Sequence, residues 1–244
     1  MIDIHTHILP SVDDGASSFR ESVQMAQMAV NSGVKGIVVT PHSNIKGLYE
    51  NYYDTPMEES FQKLKEIFLK EKIPLNLYLG MEVYATEEVP KLLRQGKLIT
   101  INYSRYLLME FGFDEDLSLV DFLLNEIISL GITPIIAHPE RYPYIQRSPD
   151  RTLEWIMLGC YLQLNKGSIF GRYGSSAKHT SHYLLQNNWA AFIASDAHSQ
   201  NIRTTDMSET YRYVSYYFSK EYAKILMMEN PMRAIENQSL IRRY

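Results

Sequence analysis

The sequence predicts an α/β chain whose parallel strands close into a distorted (β/α)7 barrel, with its reactive groups at the carboxyl ends of the strands. Three observations carry that prediction. Short apolar runs recur at fairly regular intervals along the 244 residues. Many of them end in His, Glu or Asp. The segments between them have helical periodicity with recognisable start and stop signals. Strands that alternate with helices build parallel sheets through crossover connections. In such folds the side chains at the carboxyl ends of the strands gather on one face.

The first strand is Met1-Ile2-Asp3-Ile4-His5-Thr6-His7. Residues two apart on a strand point to the same side, so His5 and His7 can grip one metal ion together. Ser18-x-x-Glu21 is a capping box, opening a helix through Val30 that stops near Gly33. The run from Lys35 to Pro41 leads to His42. Thr55-Pro56-Met57-Glu58 supplies an N-cap, a first-turn proline and a capping glutamate. The helix it opens carries Phe61, Leu64 and Phe68 on one face. Leu75 to Met81 leads to Glu82, and Tyr106 to Met109 leads to Glu110. Ser118 opens a helix with Val120, Leu123, Leu124 and Ile127, ended by Gly131. Thr133 to Ala137 leads to His138. Ser148-Pro149 opens another helix, with Leu153, Trp155 and Ile156, ended by Gly159. Cys160-Tyr161-Leu162-Gln163-Leu164 fits a strand that ends in no such ligand. Ala191 to Ser195 leads to Asp196, with His198 two residues on. Residues 176–187 and 206–229 read as helices, and Asn230-Pro231 starts a last short one. That makes seven strands. No low-complexity linker divides the chain, so residues 1–244 read as one domain.

Composition narrows the function classes. Hydrophobic residues are 45% and charged residues 21%, which supplies an ordinary globular core. A net charge of −4 offers no basic field for nucleic acid. No apolar run approaches the length of a membrane span, and the N-terminus reads as a core strand rather than a signal peptide. The single cysteine, Cys160, excludes an internal disulfide framework. Together these features point to the cytoplasm.

The candidate metal ligands are His5, His7, Asp14, His42, Glu82, Glu110, His138, Asp196 and His198. Asp13 is an alternative to Asp14, because Asp13-Asp14-Gly15 also reads as a turn. Imidazole and carboxylate donors without thiolates suit Mn²⁺, Zn²⁺ or Fe rather than a structural zinc site. Nine ligands are too many for one ion and suit two or three that share bridging carboxylates. Clustered cations lower the pKa of a bridging water, give hydroxide at neutral pH and neutralise charge on a phosphoryl group. Arg141, in His138-Pro139-Glu140-Arg141-Tyr142, and Arg203, five residues past His198, are candidate phosphate clamps. Against each stands a plainer reading: Arg141 paired with Glu140, Arg203 solvated, Glu110 in a salt bridge. Three loops look functional by position: Asp13-Asp14-Gly15, Ser43 to Asp54 with its tyrosines, and Asn165 to Gly174 with Lys166 and Arg172. His179 and His182 lie in a helix outside any motif and read as surface or packing residues.

Taken in order, these motifs resemble the PHP (polymerase and histidinol phosphatase) superfamily. Within it the chain is similar to the bacterial protein-tyrosine phosphatases of capsule and exopolysaccharide loci. The resemblance covers nearly the whole chain. It rests on the His5-Thr6-His7 strand, Asp13-Asp14-Gly15, Thr40-Pro41-His42, Gly80-Met81-Glu82-Val83, Leu108-Met109-Glu110-Phe111, the His138 to Tyr142 segment and Ala194-Ser195-Asp196-Ala197-His198. It implies a PHP fold and a trinuclear site, with Mn²⁺ as the expected metal and Fe, Zn or Mg as alternatives. His5, His7, Glu82 and Asp196 would hold one ion. Glu82, Glu110 and His138 would hold a second, and Asp14, His42 and His198 a third. Arg141 and Arg203 would bind phosphate, while His42 and His198 are candidates to steer a water. Met81 departs from the residues common at that position and is expected to point away from the metals. The implied reaction is metal-hydroxide hydrolysis of phosphotyrosine on the tyrosine-rich tail of a bacterial autokinase that controls polysaccharide export. Cys160 lies in an apolar strand without a phosphate loop, so a cysteine-dependent mechanism is not expected. The alternatives are a histidinol-phosphate phosphatase, a metal amidohydrolase, or a non-catalytic protein that shields phosphotyrosine.

Overall fold

The computed structural model describes residues 1–243. In chain order its strands are β1 (Ile2–Thr6), β2 (Gly36–Val39), β3 (His42–Ser43), β4 (Asn76–Leu79), β5 (Glu82–Tyr84), β6 (Tyr106–Glu110), β7 (Thr133–Ala137), β8 (Tyr161–Asn165) and β9 (Ala190–Ala194). One sheet has the order β1-β2-β4 and the other β3-β5-β6-β7-β8-β9. Every strand pairing among the described residues is parallel.

Two of the seven expected strands are therefore broken. The run into His42 is interrupted at Thr40-Pro41, and the run into Glu82 at Gly80-Met81. Pro41 has no N–H to give to a ladder. Gly80 lies so near β2 that a Cβ there would sit 3.1 Å from Val38 Cγ1. Hydrogen bonds bridge the break, from Gly80 N to Val39 O (2.9 Å) and from Glu82 N to Pro41 O (3.1 Å). The lower half of each run thus pairs in one sheet and the upper half in the other. At the far edge, Asp196 N donates to His5 O and His7 N to Ala197 O, both at 2.9 Å, tying β1 to the segment after β9.

The helices that connect the strands are α1 (Phe19–Asn31), α2 (Thr55–Lys70), α3 (Val89–Arg94), α4 (Leu117–Ser129), α5 (Pro143–Arg147), α6 (Arg151–Leu158), α7 (Lys166–Ile169), α8 (Ser175–Gln186), α9 (Ser208–Tyr217), α10 (Lys220–Lys224) and α11 (Asn230–Ile235). Their apolar stripes meet alternate strand residues. The larger core gathers Met25, Phe61, Leu64, Leu124, Ile127 and Trp155 with Ile37, Val39, Leu107, Met109 and Leu162. Met81 belongs to this core and is fully buried, facing away from Glu82's site as expected. A smaller core joins Ile4, Val38, Leu108, Ile135 and Phe192 to Ile235 and Leu240.

Several helix starts differ from the sequence reading, two of them because a preceding aspartate takes the cap. Asp54, not Thr55, caps α2, accepting from Met57 N at 2.9 Å. Asp116, not Ser118, caps α4, accepting from Ser118 N at 2.7 Å. Ser148 ends the unexpected short helix α5, and α6 begins only after Asp150. Ser18 caps α1, but Glu21 reaches back to Ser17 N rather than closing a box on Ser18. The 206–229 segment is divided: Ser219 caps a new helix, α10, and a π-helical turn, Ile225–Glu229, follows it. Asn165 to Gly174 is not all loop, since α7 starts directly from β8. No helix among the described residues is long and apolar enough to cross a membrane.

Candidate metal centre

Strand alternation brings the site together. On β1 the inward line is Asp3, His5 and His7, all fully buried. His5 Nε2 and His7 Nε2 are 3.2 Å apart. Glu82 opens β5 and is 1% exposed; its two oxygens lie 3.1 Å from His5 Nε2, 3.1 Å from His138 Nε2, 3.3 Å from His7 Nε2 and 2.9 Å from His42 Nδ1. Glu110 ends β6, 3.6 Å from His138 Nε2 and 3.7 Å from His42 Nδ1. Asp14 Oδ1 faces His198 Nε2 at 3.3 Å and His42 Nε2 at 3.5 Å. All nine expected ligands therefore converge. Potential donor atoms fall into three overlapping groups, within each of which all lie within 4.8 Å: His7, Asp14, His42 and His198; His5, His7 and Asp196; His42, Glu82 and Glu110. The grouping differs from the expected one in detail. His7 and His42 each belong to two groups, His42 lies nearer Glu82 (2.9 Å) than Asp14 (3.5 Å), and His138 belongs to none of the three.

His138 and Asp196 follow β7 and β9 with left-handed backbone, φ 35° and 50°. Such conformations cost of order 1–3 kcal/mol for non-glycine residues and are kept where surrounding structure enforces them. Here the turn redirects each side chain at the end of its strand.

Hydrogen bonds fix the histidine tautomers. Asp13 Oδ2 accepts from His7 Nδ1 at 2.7 Å and from His42 N at 2.8 Å, while Oδ1 accepts from Gly15 N at 2.9 Å. Asp13 is thereby fully engaged behind His7, leaving Asp14, with its side chain 48% exposed, as the carboxylate that faces the histidines. A Cβ at Gly15 would lie 2.1 Å from His7 O, so this turn requires glycine. A second relay runs from Asp196. Its Oδ2 accepts from Asn165 Nδ2 at 2.5 Å, Asn165 Oδ1 accepts from Gln163 Nε2 at 2.9 Å, and Gln163 Oε1 faces His5 Nδ1 at 2.8 Å. Each partner dictates the next, so His5 carries its proton on Nδ1, as does His7. In the neutral rings both Nε2 atoms then present lone pairs to one point.

That arrangement fits a cation. Two donors each about 2.1 Å from one ion, at angles from square to tetrahedral, lie about 3.0–3.4 Å apart. Histidine ligands that give their other N–H to a carboxylate or carbonyl are the usual second layer of a metal site. Glu82 Oε2, Asp196 Oδ1, His42 Nδ1 and His198 Nε2 are buried without a hydrogen-bond partner. Orphaned buried polar atoms are costly unless something else satisfies them. The electrostatics agree. Burial opposes ionisation of Glu82, but positive charge on the His5 and His42 rings outweighs it and holds its carboxyl well below the usual range, so this carboxylate is placed to face cations. Burial and then the Glu82 carboxylate push Glu110 up. Burial and then Arg141 push His138 down to about 4, so it is a neutral donor.

Asp196 divides its work between two neighbourhoods. Oδ1 looks toward His5 and His7, each 3.5 Å away. Oδ2 takes Arg203 Nη2 at 2.5 Å and Arg141 Nη1 at 3.4 Å. Both arginines thus stand beside the metal-type cluster. Glu140 is instead engaged by Asn165 N and Ser168 Oγ, so the Arg141–Glu140 pair does not form. Arg203 is also held through Nε to Asp196 O (3.1 Å) and is not simply solvated. Of the loop tyrosines, Tyr49 stacks on His42 at 5.5 Å and 7°, whereas Tyr53 is tied to Glu58 and Tyr103. His182, in α8, bonds Ile169 O at the end of α7, a packing role as expected. Cys160 is buried, its thiol pushed up to about 12 by that burial, and carries no reactive thiolate at neutral pH.

The sequence reading missed Gln163, Asn165 and the orienting role of Asp13. The signal was present: Gln163 and Asn165 are two apart at the end of an otherwise apolar strand, where polar side chains on one face need a reason.

The family model for capsular polysaccharide synthesis, CpsB/CapC, matches residues 1–236. The tyrosine-protein phosphatase YwqE of Bacillus subtilis is 35% identical over 242 residues, covering 99% of this chain and 94% of that protein. The tyrosine-protein phosphatase CpsB of Streptococcus pneumoniae is 35% identical over 246 residues, covering 98% and 99%. A chain from the crystal structures of these two proteins, described as unique metal-dependent tyrosine phosphatases, superposes with a TM-score of 0.93 at 34% identity, covering 100% of this chain and 97% of its own. A phosphotriesterase homology protein of Escherichia coli shares the fold alone, at 12% identity and a TM-score of 0.61 over 95% of this chain and 97% of its own. This chain belongs to the CpsB/CapC family of capsular polysaccharide synthesis proteins.

Proposed function

We propose that this chain is a metal-dependent phosphotyrosine-protein phosphatase whose substrate is the tyrosine-rich tail of a bacterial autokinase governing capsule or exopolysaccharide synthesis. The observation that carries the proposal is the shared carboxylate of Asp196, with three overlapping donor groups on one side and two guanidinium groups on the other. The names of the CpsB and YwqE relatives support it. Residues 1–244 act as one domain in the cytoplasm. Their strands form a distorted seven-stranded barrel, a reading supported by the bonds across the β2/β3 and β4/β5 breaks and between β1 and the segment after β9.

Three Mn²⁺ ions fit the donor set. His5, His7, Glu82 and Asp196 would hold one, Glu82, Glu110 and His138 a second, and Asp14, His42 and His198 a third. When bound, such ions lower the pKa of water and offset charge on the phosphoryl oxygens. Arg141 and Arg203 grip those oxygens through guanidinium N–H groups, whose planar fork matches phosphate. Asp13 and Gln163 keep His7 and His5 in the donor tautomer. His42 and His198, at the more open side beside Asp14, orient the water. The leaving phenolate has a pKa of about 10 and needs less acid assistance than an alkoxide.

The test is hydrolysis of a phosphotyrosyl peptide by chelator-stripped protein before and after adding Mn²⁺, with histidinol phosphate alongside. Turnover of the peptide that returns only with metal is expected. Preferential turnover of histidinol phosphate, or none with Mn²⁺, Fe²⁺ or Zn²⁺ in folded protein, overturns the reading.

A further inference from the structure

Arg203 and Arg141 are held in different ways. Arg203 is anchored by two hydrogen bonds to Asp196, through Nε (3.1 Å) and Nη2 (2.5 Å). Among the described residues the Arg141 guanidinium has only the long polar contact from Nη1 to Asp196 Oδ2, at 3.4 Å. Instead it lies against two aromatic faces. Its guanidinium carbon is 4.5 Å from the centre of the Tyr173 ring and 5.3 Å from that of Phe113. The two rings come from different connections, Phe113 after β6 and Tyr173 after α7.

Both rings are themselves braced. Phe113 meets Tyr142 edge to face at 5.8 Å, and Tyr142 OH donates to Ala137 O (2.9 Å) at the end of β7. Tyr173 lies so close to α7 that a Cβ on Gly167 would fall 2.8 Å from its Cε2. Glycine at 167 is what lets the ring reach Arg141. Phe113 is 41% exposed, unusual for a large apolar side chain, which leaves it at the open edge of the site.

Aromatic stacking and hydrogen bonding restrain a guanidinium differently. An acceptor uses up an N–H donor; a ring face does not, because the attraction is between the cation and the π-cloud. Arginine has five donors and no acceptor, and phosphate recognition uses them in the guanidinium plane. A phosphate-binding arginine restrained by rings keeps those donors for its ligand.

We propose that Tyr173 and Phe113 are positioning residues that hold Arg141 by stacking while leaving the N–H groups that do not face Asp196 for the phosphoryl group. This rests on the reading of Arg141 as a phosphate ligand given above. The experiment measures inorganic phosphate affinity by calorimetry on the metal-loaded full chain, and kcat/KM for phosphotyrosyl peptide in parallel. Four proteins form a double-mutant cycle: wild type, Tyr173→Leu, Arg141→Met and the double variant. Melting temperature and metal content are recorded for each.

Tyr173→Leu is expected to weaken phosphate binding about 2- to 30-fold, the range of one cation–π contact. In the Arg141→Met background the same change should cost less than about twofold, because coupled residues do not add. Tyr173→Phe should retain wild-type affinity, since the ring and not the hydroxyl acts. Phe113→Leu, at an open position where folding is not at stake, should fall in the same direction by less. Additive losses, a silent Tyr173→Leu, or a Tyr173→Phe as impaired as Tyr173→Leu would overturn the proposal. An Arg141→Met protein with wild-type phosphate affinity instead overturns the underlying assignment of Arg141. A wild type that binds phosphate but leaves the peptide intact overturns the activity alone.

Discussion

Two halves of the same strands obey one geometry and serve opposite ends. On β6 the residues Tyr106, Leu108 and Glu110 all point one way. The lower two are buried in the smaller apolar core with Ile135 and Phe192. Glu110, one step further, stands among imidazoles and another carboxylate. β8 repeats the change, from Tyr161 to Gln163 and Asn165. Below, each residue adds apolar burial worth roughly 1.5–3 kcal/mol per large side chain. Above, buried charges face one another and left-handed backbone appears at His138 and Asp196. The lower half stabilises the fold; the upper half is a place where stability yields to preorganised chemistry.

Four variants would break or sharpen that contrast. The largest effect is expected in the upper half. Glu82→Gln removes the carboxylate that four histidines face, and should lower phosphatase activity by more than about a hundredfold, the upper range for losing a mere outer partner of a metal ligand. Elemental analysis should find less bound metal; full metal content with normal turnover would show that Glu82 is not a shared ligand.

Leu108→Ala is the counterpart one step below Glu110. It should cost about 2–5 kcal/mol in urea unfolding while the folded protein keeps its metal complement. A metal-poor but fully stable variant would mean that the two halves are not separable along β6.

Gln163→Leu keeps the volume roughly constant but removes the acceptor for His5 Nδ1–H. Metal affinity should fall about 10- to 100-fold, as for other outer-shell partners, with little change in unfolding of the metal-free protein. Unchanged affinity by competition with a chelator would deny the relay any role in holding the tautomer.

The smallest effect concerns pH. Burial depresses the Lys166 ammonium to about 8, although it donates to Asp206 O at 2.6 Å. The unfolded chain therefore binds more protons between about pH 8 and the ordinary lysine value of 10.5, and stability rises with pH across that window. The penalty is fully present below about pH 8 and is relieved above it. Lys166→Met should flatten this slope relative to wild type in denaturant titrations at pH 7.5, 9 and 10. An identical slope in both proteins would argue that Lys166 is not buried as a cation.

Much of the site was legible because its residues sit at the ends of apolar runs. His5 and His7 could be placed together by period-two alternation on one strand, and Glu82, Glu110, His138 and Asp196 on the same face by their position at the carboxyl ends of four others. What escaped were contacts set by long-range approach. Asp13 and Asp14 are adjacent, and nothing local says which turns inward; the glycine at 15, pressed against His7 O, decides it by bringing Asp13 beneath His7. Two helix starts moved because Asp54 and Asp116 precede the Thr or Ser chosen from the pattern and take the cap, whereas α6 begins late because Ser148 ends α5. A capping box identifies a start but does not rank two competing caps.

The sequence by itself determined the alternation of strands and helices, the burial of Met81 away from Glu82, the inert setting of Cys160 and the identity of the converging residues. Each follows from local periodicity and side-chain chemistry. Only the tertiary structure decided that two strands break at Thr40-Pro41 and Gly80-Met81, that Asp196 serves histidines with one oxygen and arginines with the other, and that Arg141 rests on Tyr173 and Phe113. Those outcomes depend on how distant segments approach each other, and no spacing along a single chain encodes the distance between two loops that meet only when the sheet is assembled.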